Sequence, residues 1–99
     1  IMKDNLKDIG IFGRRHYDYL RKNKPTVINV MRMNGTLNSY LKGVNEQAEK
    51  MLFGLIKQIA KSEGTTETLK QQNQMLWVQR MNSIRNRAEE IVKSEVLFI

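Results

Sequence analysis

Two long stretches of the chain repeat apolar residues every three or four positions, which is the spacing of one face of an α-helix. The first series is Leu37, Leu41, Val44, Ala48, Met51, Leu55 and Ile59, and the second is Trp77, Met81, Ile84, Ala88 and Ile91. The first predicts a helix that begins after a cap at Thr36 or Asn38 and ends at Ser62 or Glu63. The second predicts a helix over residues 74–97. Because strand-like alternation is missing, we expect an all-α fold.

Shorter elements accompany these two helices. One helix is predicted over about residues 11–22 and another over about 25–33, with the single proline at its first position, where a missing N–H is harmless. The second of these is apolar on several sides, so we expect it to be buried. Its apolar residues are Val27, Ile28, Val30, Met31 and Met33. Gly35 is well placed to end it in a left-handed conformation, Gly64 should stop the long helix, and residues 65–67 should begin a short helical turn.

The pattern as a whole predicts a small helical bundle built on two long antiparallel helices, with the two shorter N-terminal helices covering the remaining apolar surface. In this interpretation residues 1–9 are a flexible lead-in and residues 10–99 a single helical domain. The two apolar series should face each other in one core, with the small Ala48 and Ala88 setting the closest approach of the helices. Trp77 at the start of its series should be largely buried.

The net charge of +7 is distributed unevenly along the chain. Residues 1–35 carry eight Lys and Arg against three acidic residues, a net charge of +5. The cations that lie close together there are Arg14, Arg15, Arg21, Lys22, Lys24 and Arg32, and secondary candidates are Arg80, Arg85 and Arg87. Such a cluster can meet nucleic-acid phosphates, an acidic protein surface or an anionic membrane, or it can be a solvated face with no ligand.

The absence of cysteine excludes disulfides, cysteine zinc sites and a thiol nucleophile. No apolar run approaches the roughly 18 residues that span a bilayer. The first residues are charged and lack the apolar region of a signal peptide. We therefore expect a cytoplasmic protein that does not bind membranes.

Catalytic groups are sparse. The single histidine, His16, has no nucleophile beside it, and Asp18 is too close in sequence to share its helical face, so we interpret it as an edge position of an amphipathic helix. The densest acidic residues lack the histidines that a di-metal bundle needs. The segment Gly10-Ile11-Phe12-Gly13 lacks the Lys-Ser/Thr of a phosphate-binding loop. We expect no enzymatic activity, no metal and no cofactor.

Three blocks of sequence carry a family resemblance. They are Phe12-Gly13-Arg14-Arg15 with Tyr19-Leu20-Arg21-Lys22-Asn23-Lys24-Pro25, then Asn34-Gly35-Thr36-Leu37-Asn38-Ser39-Tyr40-Leu41, and the C-terminal stretch from Gln74 to Val92. Together they resemble the transposon-encoded TnpV family of bacterial mobile elements. Members usually have Ile-Asp where this chain has Val44-Asn45. The resemblance implies carriage on a mobile element and supplies no activity or catalytic residues.

These observations favour a small non-enzymatic accessory protein of a mobile element that binds nucleic acid through its basic N-terminal third. The alternative is an anti-defence protein, such as an anti-CRISPR inhibitor, that binds an acidic or nucleic-acid-bound surface of a Cas effector. A third hypothesis is an oligomerisation module, and a homodimer fits it. A helix-turn-helix around Gly35 is disfavoured, since Asn34 and Thr36 are polar where that turn is usually apolar.

Overall fold

The computed structural model of the chain describes residues 6–98. Within this range the backbone is helical, with no strand, which confirms the all-α class. The α-helices are α1 (Gly10–Asn23), α2 (Pro25–Asn34), α3 (Leu37–Ser62), α4 (Glu67–Gln72) and α5 (Gln74–Val92), and α5 continues into a π-helical segment, Lys93–Leu97. The last predicted helix is therefore α-helical only as far as Val92.

Local signals set most helix ends. The single proline is the first residue of α2, and Gly35 ends that helix with a φ of 71° while Thr36 N–H donates to the carbonyl oxygen of Met31 at 2.9 Å. Gly64, with a φ of 70°, follows α3 in the same way. Thr36 is the N-cap residue of α3, as one of the two alternatives predicted, but its side chain makes no capping hydrogen bond. Side-chain caps occur instead at Thr66, before α4, and at Asn73, before α5.

The apolar residues form two clusters where one core was expected. The first joins α1, α2 and the beginning of α3, and contains Ile9, Tyr17, Leu20, Ile28, Leu37 and Leu41. The second joins α1, α3 and the C-terminal end, and contains Phe12, Ala48, Val92, Val96 and Leu97. The radius of gyration is 17.2 Å, against about 13 Å for a compact domain of this length. The molecule is elongated, with extents of 57 × 22 × 17 Å.

The predicted burial of two core residues, Ile91 and Trp77, is wrong. Ile91 is 39% exposed, and Val92 takes its place in the second cluster. The buried residues of α5 are Ile84, Ala88 and Val92, so the series advances by four residues at its last step, to Val92, where the heptad pattern advances by three, to Ile91. Trp77 is half-buried, at the edge of an open groove, with Lys70 Nζ 4.8 Å from the centroid of its ring.

Helix α2 is also less buried than its composition predicts. Among its apolar side chains, Ile28 is buried, whereas Val30 is 51% exposed and Met33 is 86% exposed. The helix contacts the bundle along one side only, because α1 and the beginning of α3 already pack against each other. Ile9, assigned to the lead-in, is buried in the first cluster, and residues 1–5 of that lead-in lie outside the described range.

Helix α1 crosses α3 at a close approach that Gly13 permits. A Cβ on Gly13 would lie 2.8 Å from the carbonyl oxygen of Leu41, a distance that real Cβ atoms avoid. Beside this contact, Asn45 Oδ1 on α3 accepts hydrogen bonds from the backbone N–H groups of Phe12 (3.1 Å) and Gly13 (3.3 Å). The Phe12 N–H is among the four N–H groups that a helix leaves without an internal partner at its beginning, and the Gly13 N–H directly follows them. The Asn45 side chain on α3 therefore caps α1. The crossing of the two helices fixes where the basic residues of α1 lie.

Candidate nucleic-acid interface

The outer side of α1 carries two basic residues one above the other. Arg14 and Arg21 are both exposed and are seven residues apart, which is about 10 Å along the helix. Tyr17 lies between them in sequence, with its ring centroid 5.9 Å from the guanidinium carbon of Arg14 and 5.6 Å from that of Arg21. A guanidinium at this distance from an aromatic ring is attracted to it. One buried tyrosine thus holds two cations at the surface.

A second row of α1 contains Arg15 and Lys22, again seven residues apart. The Arg15 guanidinium carbon lies 5.8 Å from the ring centroid of Phe12, and Lys22 is exposed. Together with residues of the C-terminal end they border an open groove with a volume of about 540 Å³. The lining residues are Arg15, Asp18, Tyr19, Lys22, Asn23 and Phe98. The groove therefore combines cationic and aromatic side chains.

The other two predicted site residues are less closely grouped. Lys24 is exposed in the joint between α1 and α2, where its N–H donates to the carbonyl oxygen of Leu20 at 2.7 Å. Arg32 is half-buried in the last turn of α2, and its Nη1 donates to Asn29 Oδ1 at 3.2 Å. Seven residues of helix separate Arg32 from the beginning of α2, about 10 Å along its axis. Five of the six predicted cations thus lie on α1 or directly after it, and Arg32 lies apart.

The secondary candidates on α5 divide into two kinds. Arg80 and Arg85 are exposed, whereas both terminal nitrogens of Arg87 are engaged by Glu63, at 2.6 and 2.9 Å. The hydrogen bond from Arg87 holds the pKa of the Glu63 carboxyl below its usual range. Arg87 therefore joins α5 to the end of α3, and Arg80 and Arg85 are left as the accessible cations of this helix.

His16 has a role that the sequence interpretation missed. It is 2% exposed, so the prediction of an edge position is wrong. Its Nδ1 lies 2.8 Å from the carbonyl oxygen of Leu97, and its Nε2 lies 2.8 Å from the hydroxyl of Tyr40 on α3. Burial also raises the pKa of the Tyr40 phenol. One histidine thus links α1, α3 and the C-terminal segment. This link places Phe98 beside the groove that Arg15 and Lys22 line.

Phe98 and Tyr19 are the other residues that sequence reasoning did not assign to the interface. Their ring centroids are 5.5 Å apart and the rings are tilted by 35°. Phe98 is 45% exposed, although Leu97 directly before it is fully buried. Seventy-nine residues separate the two rings in the sequence, so no local pattern could have paired them.

The part of the chain that the structure describes lacks two further kinds of site. Residues 6–98 contain no group of three or more His and acidic side chains that could hold a metal ion. In the same range, none of the helices combines the length and the apolar composition that crossing a membrane requires.

Comparison with known proteins gives one match. The model of a family described as transposon-encoded protein TnpV matches residues 1–97, which is nearly the whole chain. No curated protein and no solved structure gives a significant match.

Proposed function

The chain belongs to the TnpV family of transposon-encoded proteins, and from this premise we propose that it is a non-enzymatic accessory protein of a bacterial mobile element that binds nucleic acid. The binding surface is formed by the basic residues of α1 together with Lys24 directly after it, namely Arg14, Arg15, Arg21, Lys22 and Lys24. A cytoplasmic location belongs to the same proposal, since nucleic acid is found there.

The observation that carries the proposal is the pair of cations over one aromatic ring. Arg14 and Arg21 are exposed, and each guanidinium lies within 6 Å of the Tyr17 ring. This contact orients the side chains while their N–H donors can still reach a ligand. A duplex strand carries one phosphate per 3.4 Å of axis, so two arginines whose positions on α1 are about 10 Å apart can contact different phosphates.

A binding role without catalysis is supported by the state of the single histidine. Both ring nitrogens of His16 have hydrogen-bond partners, and the side chain is 2% exposed. A general base must reach the proton that it removes from a substrate. His16 is occupied in holding the fold together, which leaves α1 with side chains suited to binding.

We also infer that the two long helices run antiparallel, as the apolar pattern predicts. Ala48, in the first half of α3, shares a cluster with Val92 at the end of α5. Ala60, near the end of α3, borders one groove with Trp77 and Met81 in the first half of α5. Early residues of one helix thus lie near late residues of the other, which supports opposite directions.

The test is DNA binding by fluorescence anisotropy with a labelled duplex and a labelled single strand, each at several salt concentrations. With about four phosphate contacts, affinity should fall roughly 100-fold between 50 and 200 mM salt. The double variant Arg14→Gln with Arg21→Gln should bind more weakly, and the slope of log affinity against log salt should shrink by about 2.

The matched control is Lys57→Gln with Lys61→Gln, which removes the same amount of charge from two exposed positions. Both lie near the C-terminal end of α3, away from the part of α3 that α1 crosses. It should change affinity far less than the arginine pair does. If neither DNA nor RNA bound at low salt, the proposal would be wrong. Binding to a Cas effector by the same arginines, with no binding to free nucleic acid, would favour the anti-defence alternative.

A further inference from the structure

The groove between α1 and the C-terminal end has an aromatic wall. Tyr19 and Phe98 form this wall, with ring centroids 5.5 Å apart, and the groove beside them has a volume of about 540 Å³. The Phe98 side chain is 45% exposed, so much of its surface meets solvent. A half-exposed phenyl ring at the edge of an open groove offers a surface on which a planar ligand can stack.

The position of Phe98 is set by the hydrogen bonds of the peptide group that precedes it. Its N–H donates to the carbonyl oxygen of Lys93 at 2.9 Å, and the carbonyl oxygen of Leu97 lies 2.8 Å from His16 Nδ1. Leu97 is fully buried. Because the peptide group that precedes the ring is hydrogen-bonded through both its N–H and its carbonyl oxygen, the aromatic wall is a pre-formed feature of the fold.

Cations lie on the α1 side of the groove. Arg15 and Lys22 both line it, and they are about 10 Å apart along α1. Asp18 lies between them in sequence and also lines the groove, and Arg21 borders a smaller recess with Asp18 and Lys22. Two cations and one carboxylate thus line the α1 side of the groove, which gives this side a net positive charge that is complementary to an anion.

We propose that this groove binds single-stranded nucleic acid, with one base stacked on Phe98 and neighbouring phosphates on Arg15 and Lys22. This inference rests on the proposed function and specifies that the bound nucleic acid is an unpaired strand. In a duplex the faces of the bases are covered by their neighbours, whereas a single strand can turn a base onto an aromatic side chain. An acidic peptide would use the cations but would gain little from the aromatic wall.

The test compares Phe98→Leu with the parent protein in binding a 15-nucleotide single strand and the duplex of the same length. Leucine keeps an apolar side chain but has no aromatic face. Single-strand affinity should fall about tenfold, which is within the range for loss of one stacked base, while duplex affinity and the salt dependence stay unchanged. Phe98→Trp should retain single-strand binding, because it preserves the aromatic face.

The matched control is Phe53→Leu, which changes a phenyl ring that is 63% exposed on α3. It should leave both affinities unchanged. A strand that contains 2-aminopurine gives a second readout, since stacking quenches its fluorescence, and the quenching should be lost in Phe98→Leu and kept in Phe53→Leu. Circular dichroism should show the same helical content in all variants.

The outcomes separate this inference from the proposed function. If the parent bound nucleic acid with the expected salt dependence and Phe98→Leu bound the single strand equally well, the groove assignment would be overturned and the proposed function would survive. If the parent bound neither strand nor duplex at low salt, both would fall. Equal affinity of the parent for poly-glutamate and for the single strand, with no effect of Phe98→Leu, would also overturn the inference.

Discussion

His16 Nδ1 donates a hydrogen bond to the carbonyl oxygen of Leu97 at 2.8 Å, across 81 residues of sequence. The donor is settled by chemistry, because a carbonyl oxygen can only accept. In the neutral ring, Nε2 then accepts from the hydroxyl of Tyr40, also at 2.8 Å. This pair of bonds fixes the C-terminal segment beside α1 and so creates the groove that Phe98 borders.

Replacing His16 by Phe should destabilise the protein. The ring would still fill the space, but the Leu97 carbonyl oxygen would lose the buried donor that it now has, at a cost of about 1–3 kcal/mol. Urea denaturation measures the change in the free energy of unfolding. Tyr40→Phe is the control, since it removes only the second hydrogen bond and should cost about 1 kcal/mol. Equal midpoints for His16→Phe and the parent would contradict this account.

Asn45 should be a stability determinant although it lies in the middle of α3. Its Oδ1 caps α1 by accepting from Phe12 N–H and Gly13 N–H, so Asn45→Ala should cost about 1–2 kcal/mol. Asn45→Asp should retain most of the stability, because a carboxylate accepts the same bonds and favours the N-terminal end of a helix dipole. Glu49, which now accepts from Asn45 Nδ2 at 3.3 Å, would oppose the new charge slightly. Thermal melts of the two variants compare them directly, and equal losses would exclude the capping role.

Two glycine-to-alanine changes should have opposite effects. Gly13→Ala places a methyl group 2.8 Å from the backbone oxygen of Leu41, so α1 and α3 must separate, at a cost of about 1–3 kcal/mol. Gly43→Ala adds a methyl group where no atom lies within 4 Å, and alanine favours a helix by about 1 kcal/mol over glycine. The melting temperature should fall for the first variant and rise for the second. A shift of both in the same direction would argue against the crossing described here.

Ile84→Asp should unfold the protein. Ile84 is fully buried, and an unpaired carboxylate there would lose its hydration without gaining a partner. Arg85→Asp, one residue later and exposed, should leave the fold intact. Circular dichroism on heating compares the two, and parent-like melting of Ile84→Asp would mean that the buried face of α5 is assigned wrongly.

The Glu63–Arg87 ion pair should make stability depend on pH in one direction. Arg87 lowers the pKa of Glu63 in the folded state, so the pair stabilises the fold above the carboxyl's unfolded pKa, about 4.3. This contribution is lost as the pH falls through the lower, folded pKa. At pH 7 and low salt, Glu63→Gln should melt slightly below the parent, and the two curves should converge in acid. A difference that grew below pH 4 would contradict the assignment.

Much of the secondary structure follows from local sequence rules. The proline at the first position of α2 and the left-handed Gly35 and Gly64 bound helices as the sequence predicts. The buried face of α5 at Ile84 and Ala88 also follows from apolar spacing. Each of these signals depends on residues at most about four positions apart, so it can be recognised from the local sequence without knowledge of the tertiary structure.

The interface is predictable only in part. The basic residues of α1 can be read from the sequence, and the structure leaves Arg14, Arg21 and Lys22 exposed. The aromatic wall of the groove cannot, because Tyr19 and Phe98 come from opposite ends of the chain. The dipeptide Leu97-Phe98 does not indicate from sequence alone that the Phe98 ring lies against the ring of Tyr19.

Local sequence signals specify that this chain is helical, where most of its helices begin and end, and that its positive charge is concentrated in residues 1–35. The packing of the helices determines that Val92 and not Ile91 is buried, that Asn45 caps α1, and that His16 holds the C-terminal segment. The two kinds of feature differ in how far apart the interacting groups lie along the chain. Helix formation depends on neighbours three or four residues away, whereas the hydrogen bonds from α1 to Asn45 and from His16 to Leu97 join groups 32 to 81 residues apart that meet only when the helices pack.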